Sequence, residues 1–275
     1  YTATKGVVIA TGSHAKGLPP AGLNIDRKTI ISSDEALFLE KAPGSLAVVG
    51  AGAGGCEFAD LFNAFRTKVT LIEALPRILP LEDADSSAAV AKSFKKRKIT
   101  VIAGAMVKDT TITGEGATLE VESDGKTQSV EVDVVLVAAG RGVNTDSIGL
   151  EAGGIELDES GFIKVDRATL QTGVDGYYAI GDVAGPPMLA HKGSREGVVL
   201  AERLGGQNPH PIRYDNIPSV TYCHPEVASI GLTEDQCKEQ GLDYQLGTFS
   251  FSANGRARAS NATDGFVKII RDKTY

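Results

Sequence analysis

Leu46-Ala-Val-Val-Gly50-Ala-Gly52-Ala-Gly54-Gly55 is the stretch whose reading decides the fold. Its four apolar residues form a strand, its glycines fit G-x-G-x-x-G, and Glu57 to Arg66 follow with the spacing of an amphipathic helix. The pattern by itself is weak in a chain with 32 glycines, but a strand before it and a helix after it give it meaning. The first glycine permits a tight turn, the second lets backbone approach a pyrophosphate, and the third lets helix and strand pack closely. Phosphates then lie at the helix N-terminus, where unpaired N–H groups point outward. The candidate contacts are therefore Gly50, Ala51, Gly52 and Ala53 in the loop, with Gly54, Gly55 and Cys56 in the first helical turn. Lys68-Val-Thr-Leu-Ile forms the next strand, and Glu73 ends it, 18 residues beyond Gly55 (73 − 55). A carboxylate there accepts hydrogen bonds from ribose hydroxyls and repels a 2′-phosphate, which favours NAD over NADP. Arg77 is close enough in sequence to meet a phosphate, but the acid holds the deciding position.

Outward from this unit the alternation continues. Residues 6–12 read as a buried strand ending at a glycine, and Ser33-Asp34-Glu35 caps a short helix through Leu39. A helix over 86–97 and a strand over 99–102 repeat the strand–helix spacing. Residues 117–137 hold two alternating strands around the turn Asp124-Gly125, and 134–140 is an apolar run suited to a buried parallel strand. Gly176 to Gly181 is another apolar strand, and His191 to Leu204 a helix ended by Gly205-Gly206. From Pro218 the pattern changes to strands near 219–223, 227–231, 246–251 and 266–271 around a helix at 233–240. The fold class is α/β: Rossmann-like, three-layer nucleotide-binding domains with the beginning of an α+β dimerisation domain.

The net charge of −7 disfavours a general nucleic-acid or anionic-membrane binder. No run approaches the ~18 apolar residues of a membrane span, and the first residues lack the layout of a signal peptide. Three cysteines far apart, Cys56, Cys223 and Cys237, give neither a disulfide framework nor a metal site, and a reducing compartment is expected. A start at Tyr1 without Met, running at once into an apolar strand, suggests an interior point of a longer protein.

Further motifs converge. They are Ala10-Thr-Gly-Ser13, Tyr178-Ala-Ile-Gly-Asp182-Val, Met188-Leu-Ala-His-Lys192, the run Pro218-Ser-Val-Thr-Tyr-Cys-His-Pro-Glu-Val-Ala-Ser-Ile-Gly-Leu-Thr-Glu234, and Asn254-Gly-Arg-Ala257. Together, over essentially the whole chain, they resemble the FAD-dependent pyridine-nucleotide disulfide oxidoreductases, and within them the branch that reoxidises dihydrolipoamide. The resemblance implies FAD and NAD as cofactors. It places Thr11, Gly12 and Ser13 on the FAD side, Asp182 at the flavin's ribityl chain, and Met188, Leu189, Ala190 and His191 along the isoalloxazine and ribityl. It further implies a nicotinamide-side position for Val107 and Gly140, a flavin-side position for Arg141, and for Glu57 an ion pair with a lysine beside the flavin. Read from the residues alone, Glu57 is an acid complementing a helix dipole, and Asp182 is a turn or cap residue.

Three positions depart from the family pattern: Val143 stands where Gly-Arg-x-Pro-Asn has proline, Gly54 replaces an aliphatic residue, and Cys223 replaces threonine. The family's C-x-x-x-x-C pair, its first G-x-G-x-x-G and its terminal His-Glu base are not in this chain, so no catalytic set is complete. The expected divisions are 1–13, the end of an FAD domain; 14–143, the NAD domain; 144–213, a return segment; and 214–275, the start of an interface domain. The resemblance implies a homodimer serving the lipoyl domain of a 2-oxo acid dehydrogenase complex, in bacterial cytoplasm or the mitochondrial matrix. Related disulfide reductases, flavin transhydrogenases and a non-catalytic nucleotide-binding module stay open as alternatives.

Overall fold

A computed structural model describes residues 2–273; the expected outer bounds at Tyr1 and Tyr275 lie outside the described residues. The strands of the first half are β1 (Val7–Ile9), β2 (Ser13–Ala15), β3 (Ile30–Ile31), β4 (Ser45–Val49), β5 (Lys68–Glu73), β6 (Thr100–Ala103), β7 (Ala105–Thr113), β8 (Gly116–Ser123), β9 (Lys126–Val132) and β10 (Val134–Val137). Those of the second are β11 (Arg141–Val143), β12 (Tyr177–Ala179), β13 (Ser219–Thr221), β14 (Val227–Ser229), β15 (Tyr244–Ser250) and β16 (Phe266–Asp272). The helices are α1 (Ser33–Ala36), α2 (Ala53–Ala64), α3 (Ala84–Lys96), α4 (Ala190–Leu204), α5 (Glu234–Glu239) and α6 (Gly255–Ala259). Two compact units share them: the chain up to His14 with Arg141–Ile217, and Ala15–Gly140 with the chain from Pro218 on.

The larger unit is built on a five-stranded parallel sheet in the order β3-β10-β4-β5-β6. Alternation along each strand divides its side chains between two cores. Leu46 and Val48 of β4, with Val69 and Leu71 of β5, face Phe62 of α2 and Phe94 of α3. Ala47, Val49 and Ile72 face the other way, against Leu119, Val121 and Val132 of an antiparallel β7-β8-β9 meander. Helices, parallel sheet and meander are the three layers. Complete burial of each large apolar side chain here stabilises the unit by about 1.5–3 kcal/mol. Because β5 and β10 flank β4 on opposite sides, the strand order reverses at β4. A crevice beyond the strand ends is expected there.

β7 is the longest strand that sequence patterning misses. Its register shifts between Val107 and Asp109, so its apolar residues do not keep a period of two, and such a bulge hides a strand from alternation. The smaller unit pairs β1 with β12 in parallel and packs Ile9, Ile163, Ala179 and Val183 into a core of its own.

Within the larger unit, residues from Pro218 on are tied to the start of α3 by charge. Lys268 on β16 reaches Asp83 at 2.9 Å, Asp85 at 2.7 Å and Glu234 at 2.7 Å. Asp83 also caps α3 and accepts the Glu234 amide at 3.0 Å. Burial works against the charge on Lys268, but the three carboxylates outweigh it and raise its pKa. Glu234 moves the other way, held down to about 2 by Lys238 first and then by Lys268. A carboxylate whose pKa is lower folded than unfolded gives stability that is complete above the unfolded value and lost as pH falls through the folded one. We therefore expect the melting temperature to drop between about pH 4.5 and pH 2. Lys268→Met should flatten that drop and cost about 1 kcal/mol at neutral pH, a small figure because Asp85 is solvent-screened. Thermal melts across pH check this; an identical acid profile in wild type and variant would contradict it.

Candidate functional site

The glycine loop leaves β4 at the sheet's reversal point, and its geometry explains each glycine differently. Gly50 has φ +101°, and a Cβ there would lie 2.6 Å from the Ala138 carbonyl oxygen, which follows the neighbouring strand β10. A Cβ on Gly55 would lie 1.9 Å from the Gly50 carbonyl oxygen, so α2 starts as close to the strand end as backbone allows. Gly52 and Gly54 have nothing within 4 Å of a Cβ. Gly52 is the N-cap of α2 and no side chain caps that end, which leaves first-turn N–H groups facing open space. Backbone donors, a helix N-terminus and an open approach suit a pyrophosphate.

Glu73 is buried at the end of β5 with both oxygens in use: Oε2 accepts the Ala51 amide at 2.6 Å and Oε1 the Leu75 amide at 2.9 Å. Each carboxylate oxygen has a second acceptor position, so ribose hydroxyls and the loop can be held together. The sequence shows the acid but not its grip on the loop. Ala51 is further fixed through its carbonyl, which accepts the Leu79 amide at 2.7 Å and the Cys56 thiol at 3.4 Å. The Cys56 thiol is wholly buried, and burial, then the nearby Cys223, raise its pKa; burial pushes Cys223 itself up to about 12. Both thiols stay protonated and unreactive.

Glu57 accepts the Tyr222 amide at 2.8 Å. Val107 packs at the edge of the meander core beside the β7 register break, and Gly140 follows β10 with φ +111°. Arg77 is engaged elsewhere, donating to Asp235 at 3.0 Å and to the Glu82 carbonyl at 3.4 Å.

In the smaller unit, residues far apart in sequence meet around Ser13. Its hydroxyl donates to Asp182 Oδ2 at 2.5 Å and accepts from Arg141 Nε at 2.6 Å, while Arg141 Nη2 donates to the Ser13 carbonyl at 2.8 Å. Asn144 clamps the preceding turn: it donates to the Thr11 carbonyl at 2.8 Å and its amide to the Gly12 carbonyl at 3.0 Å, while its own carbonyl accepts the Thr11 hydroxyl at 2.7 Å. His14 Nδ1 lies 2.6 Å from Asn144 Oδ1, so Nδ1 carries the proton. A Cβ on Gly142 would lie 2.7 Å from His14 Nε2. The imidazole and the glycine fit each other, next to the position where Val143 replaces proline.

Asp182 sits in the turn Gly181–Ala184 after β12. Met188 and Leu189 are half-buried and Ala190 and His191 exposed at the start of α4, an end that no side chain caps. Beneath lie two residues the sequence reading did not single out for a role, Lys192 and Glu196, both fully buried and 3.3 Å apart. Among the described residues no group of three or more His, Cys, Asp or Glu is placed to hold a metal, and no helix is long and apolar enough to cross a membrane.

Comparison with known proteins shows the family. The family profile described as "Pyridine nucleotide-disulphide oxidoreductase" matches residues 1–197, and that of its dimerisation domain matches residues 217–275. A dihydrolipoyl dehydrogenase from Zymomonas mobilis is 45% identical over 270 residues, which cover 98% of this chain and 57% of that protein. The chain thus spans little more than half the length of this curated relative. The crystal structure of LpdA from Mycobacterium tuberculosis superposes with a TM-score of 0.89 at 30% identity, covering 98% of this chain and 57% of that one. RclA of Escherichia coli, an HOCl-induced flavoprotein disulfide reductase, gives 0.86 at 31% identity, with 98% and 61% covered. The chain belongs to the pyridine nucleotide-disulphide oxidoreductase family.

Proposed function

We propose that this chain supplies the NAD site and part of the FAD site of a flavoprotein that oxidises dihydrolipoamide and reduces NAD. The observation that carries the reading is the glycine loop at the strand reversal with Glu73 bound to it, a combination that offers amides to a pyrophosphate and a carboxylate to a ribose. Gly50, Gly52 and Gly55 shape the approach, Ala53 and Gly54 present first-turn amides, and Ala51 and Cys56 hold the loop from below. Glu57, Val107 and Gly140 are assigned to the nicotinamide and flavin side by family likeness. Thr11, Gly12, Ser13, Arg141, Asp182 and Met188 to His191 form the flavin side. A carboxylate at 182 suits a polyol acceptor, and the uncapped N-terminus of α4 suits electron-rich ring edges or phosphate.

A flavin held by Thr11 to Ser13, Arg141, Asp182 and Met188 to His191 would supply the two-electron link between a dithiol and nicotinamide. The chain's own residues bind and orient these groups. The proposed divisions are the end of an FAD domain up to Ser13, an NAD domain over 14–143, a return segment over 144–213 and an interface domain from 214. A homodimer is supported by exposed apolar side chains that share one face of the β15–β16 ribbon, Phe249, Val267 and Ile269, because such a patch marks an interaction surface. The lipoyl domain of a 2-oxo acid dehydrogenase complex is the proposed partner, in bacterial cytoplasm or the mitochondrial matrix. The test is the full-length protein: it should purify yellow and reduce NAD when given dihydrolipoamide. A colourless protein inert to dihydrolipoamide would refute the reading.

A further inference from the structure

Lys192 and Glu196 stand one helical turn apart on α4 with their side chains fully withdrawn from water. Burying two charges is costly, and an apolar pair of the same volume often packs as well or better. What an apolar pair cannot do is meet backbone polar groups. The Lys192 ammonium donates to the Gly181 carbonyl at 2.8 Å and the Gly185 carbonyl at 2.8 Å, and its third partner is Glu196 Oε1 at 3.3 Å. Glu196 Oε2 accepts the Gly181 amide at 2.7 Å, and Oε1 accepts the Tyr214 hydroxyl at 2.8 Å. Every donor of the ammonium is used, and both ends of the turn around Asp182 are gripped. Gly181 and Gly185 have φ +72° and +101°, outside any regular ladder, so these buried groups need such partners. Helix and turn are also in close register, since a Cβ on Gly193 would lie 3.1 Å from Gly181 Cα.

We propose that Lys192 and Glu196 are positioning residues for the flavin side of the site: they lock the Gly181–Gly185 backbone and so fix where the Asp182 carboxylate points. The inference rests on the reading of Asp182 as a flavin contact. Tyr214 belongs to the same device. Its hydroxyl orients Glu196, and its ring lies under the Arg167 guanidinium, 4.6 Å from the ring centroid.

The test is FAD binding to the full-length, flavin-stripped protein, followed by flavin fluorescence, in a double-mutant cycle. Asp182→Asn should weaken FAD about tenfold, the size of one hydrogen bond to a charged group. Lys192→Met/Glu196→Gln should weaken it by a similar factor, because Asp182 is no longer held. Adding Asp182→Asn to that pair should then cost no more than about twofold, since coupled residues are not additive. A merely structural pair would leave the two losses independent, so a further tenfold loss would overturn the inference while leaving the reading of Asp182 intact. Unchanged affinity in Asp182→Asn alone would overturn the reading of Asp182 and this inference with it. Should the paired variant fail to fold, Tyr214→Phe removes only the hydroxyl. Its loss of about twofold to threefold in FAD affinity should vanish in the Asp182→Asn background, and persistence of that loss would overturn the proposal.

Discussion

Gly55→Ala should abolish ordered nucleotide binding and destabilise the larger unit by about 3 kcal/mol or more, at the upper end of what overpacking costs. The new methyl would sit 1.9 Å from the Gly50 carbonyl oxygen, and neither atom belongs to a flexible side chain that can step aside. The start of α2 must therefore move off the end of β4, and the first-turn amides move with it. Hydrogen bonds from those amides to a pyrophosphate contribute about 1.5–3 kcal/mol each, because the acceptor is charged. Misplacing two of them should weaken NADH binding by at least about 100-fold. Gly54→Ala is the control, since its Cβ would meet nothing within 4 Å. It should melt at or slightly above the wild-type temperature, alanine favouring the helix by about 1 kcal/mol. Equal effects of the two substitutions, in thermal melts and NADH titrations, would contradict the geometry of the loop.

Glu73→Ala should fail in two ways at once. It leaves the Ala51 and Leu75 amides without their acceptor beneath the loop, and each unsatisfied buried donor costs about 1–3 kcal/mol. It also removes the proposed acceptor for the ribose, with an expected further loss of about 100-fold in NADH affinity. Glu73→Gln separates the effects. Its one carbonyl oxygen can serve either amide but not both, and its NH₂ confronts the other, so it should cost about 1–2 kcal/mol of stability. It also removes the negative charge that opposes a 2′-phosphate. Replacing Glu73 by serine and relying on Arg77 for a phosphate would not make a clean NADP site, because Arg77 is bound to Asp235 and to the Glu82 carbonyl.

Much of the fold was legible because its signals are local. The apolar runs of β4, β5 and β10, the glycines between β4 and α2, and the Ser32–Glu35 capping box that starts α1 are each carried by adjacent residues. Helix α2 begins earlier than its apolar spacing indicates, at Ala53, because glycine-rich first turns carry no periodic signal. β7 was lost to its bulge, and α6 to its five-residue length. Of the candidate site, sequence shows the residues proposed to face a ligand and hides those that support them. Lys192 and Glu196 have the i,i+4 spacing of an ordinary surface pair, and only the packing of α4 on the Gly181 turn shows that they are buried. Ser13 and Asp182 lie 169 residues apart, and Arg77 and Asp235 lie 158 apart. No local pattern joins them. His14 is exposed, and its bond to Asn144 and its fit against Gly142 are visible only in three dimensions.

The central claim is that Glu73 and the glycine loop together form a site for NAD, and paired titrations of NADH and NADPH into the full-length protein and its Glu73→Gln variant test it most directly. We expect wild type to bind NADH at least about 30-fold tighter than NADPH, since like charges brought together at a site cost several kcal/mol. The variant should lose most of that margin, by weakening NADH and tolerating NADPH. Equal affinities in wild type, or a margin that Glu73→Gln leaves unchanged, would contradict it.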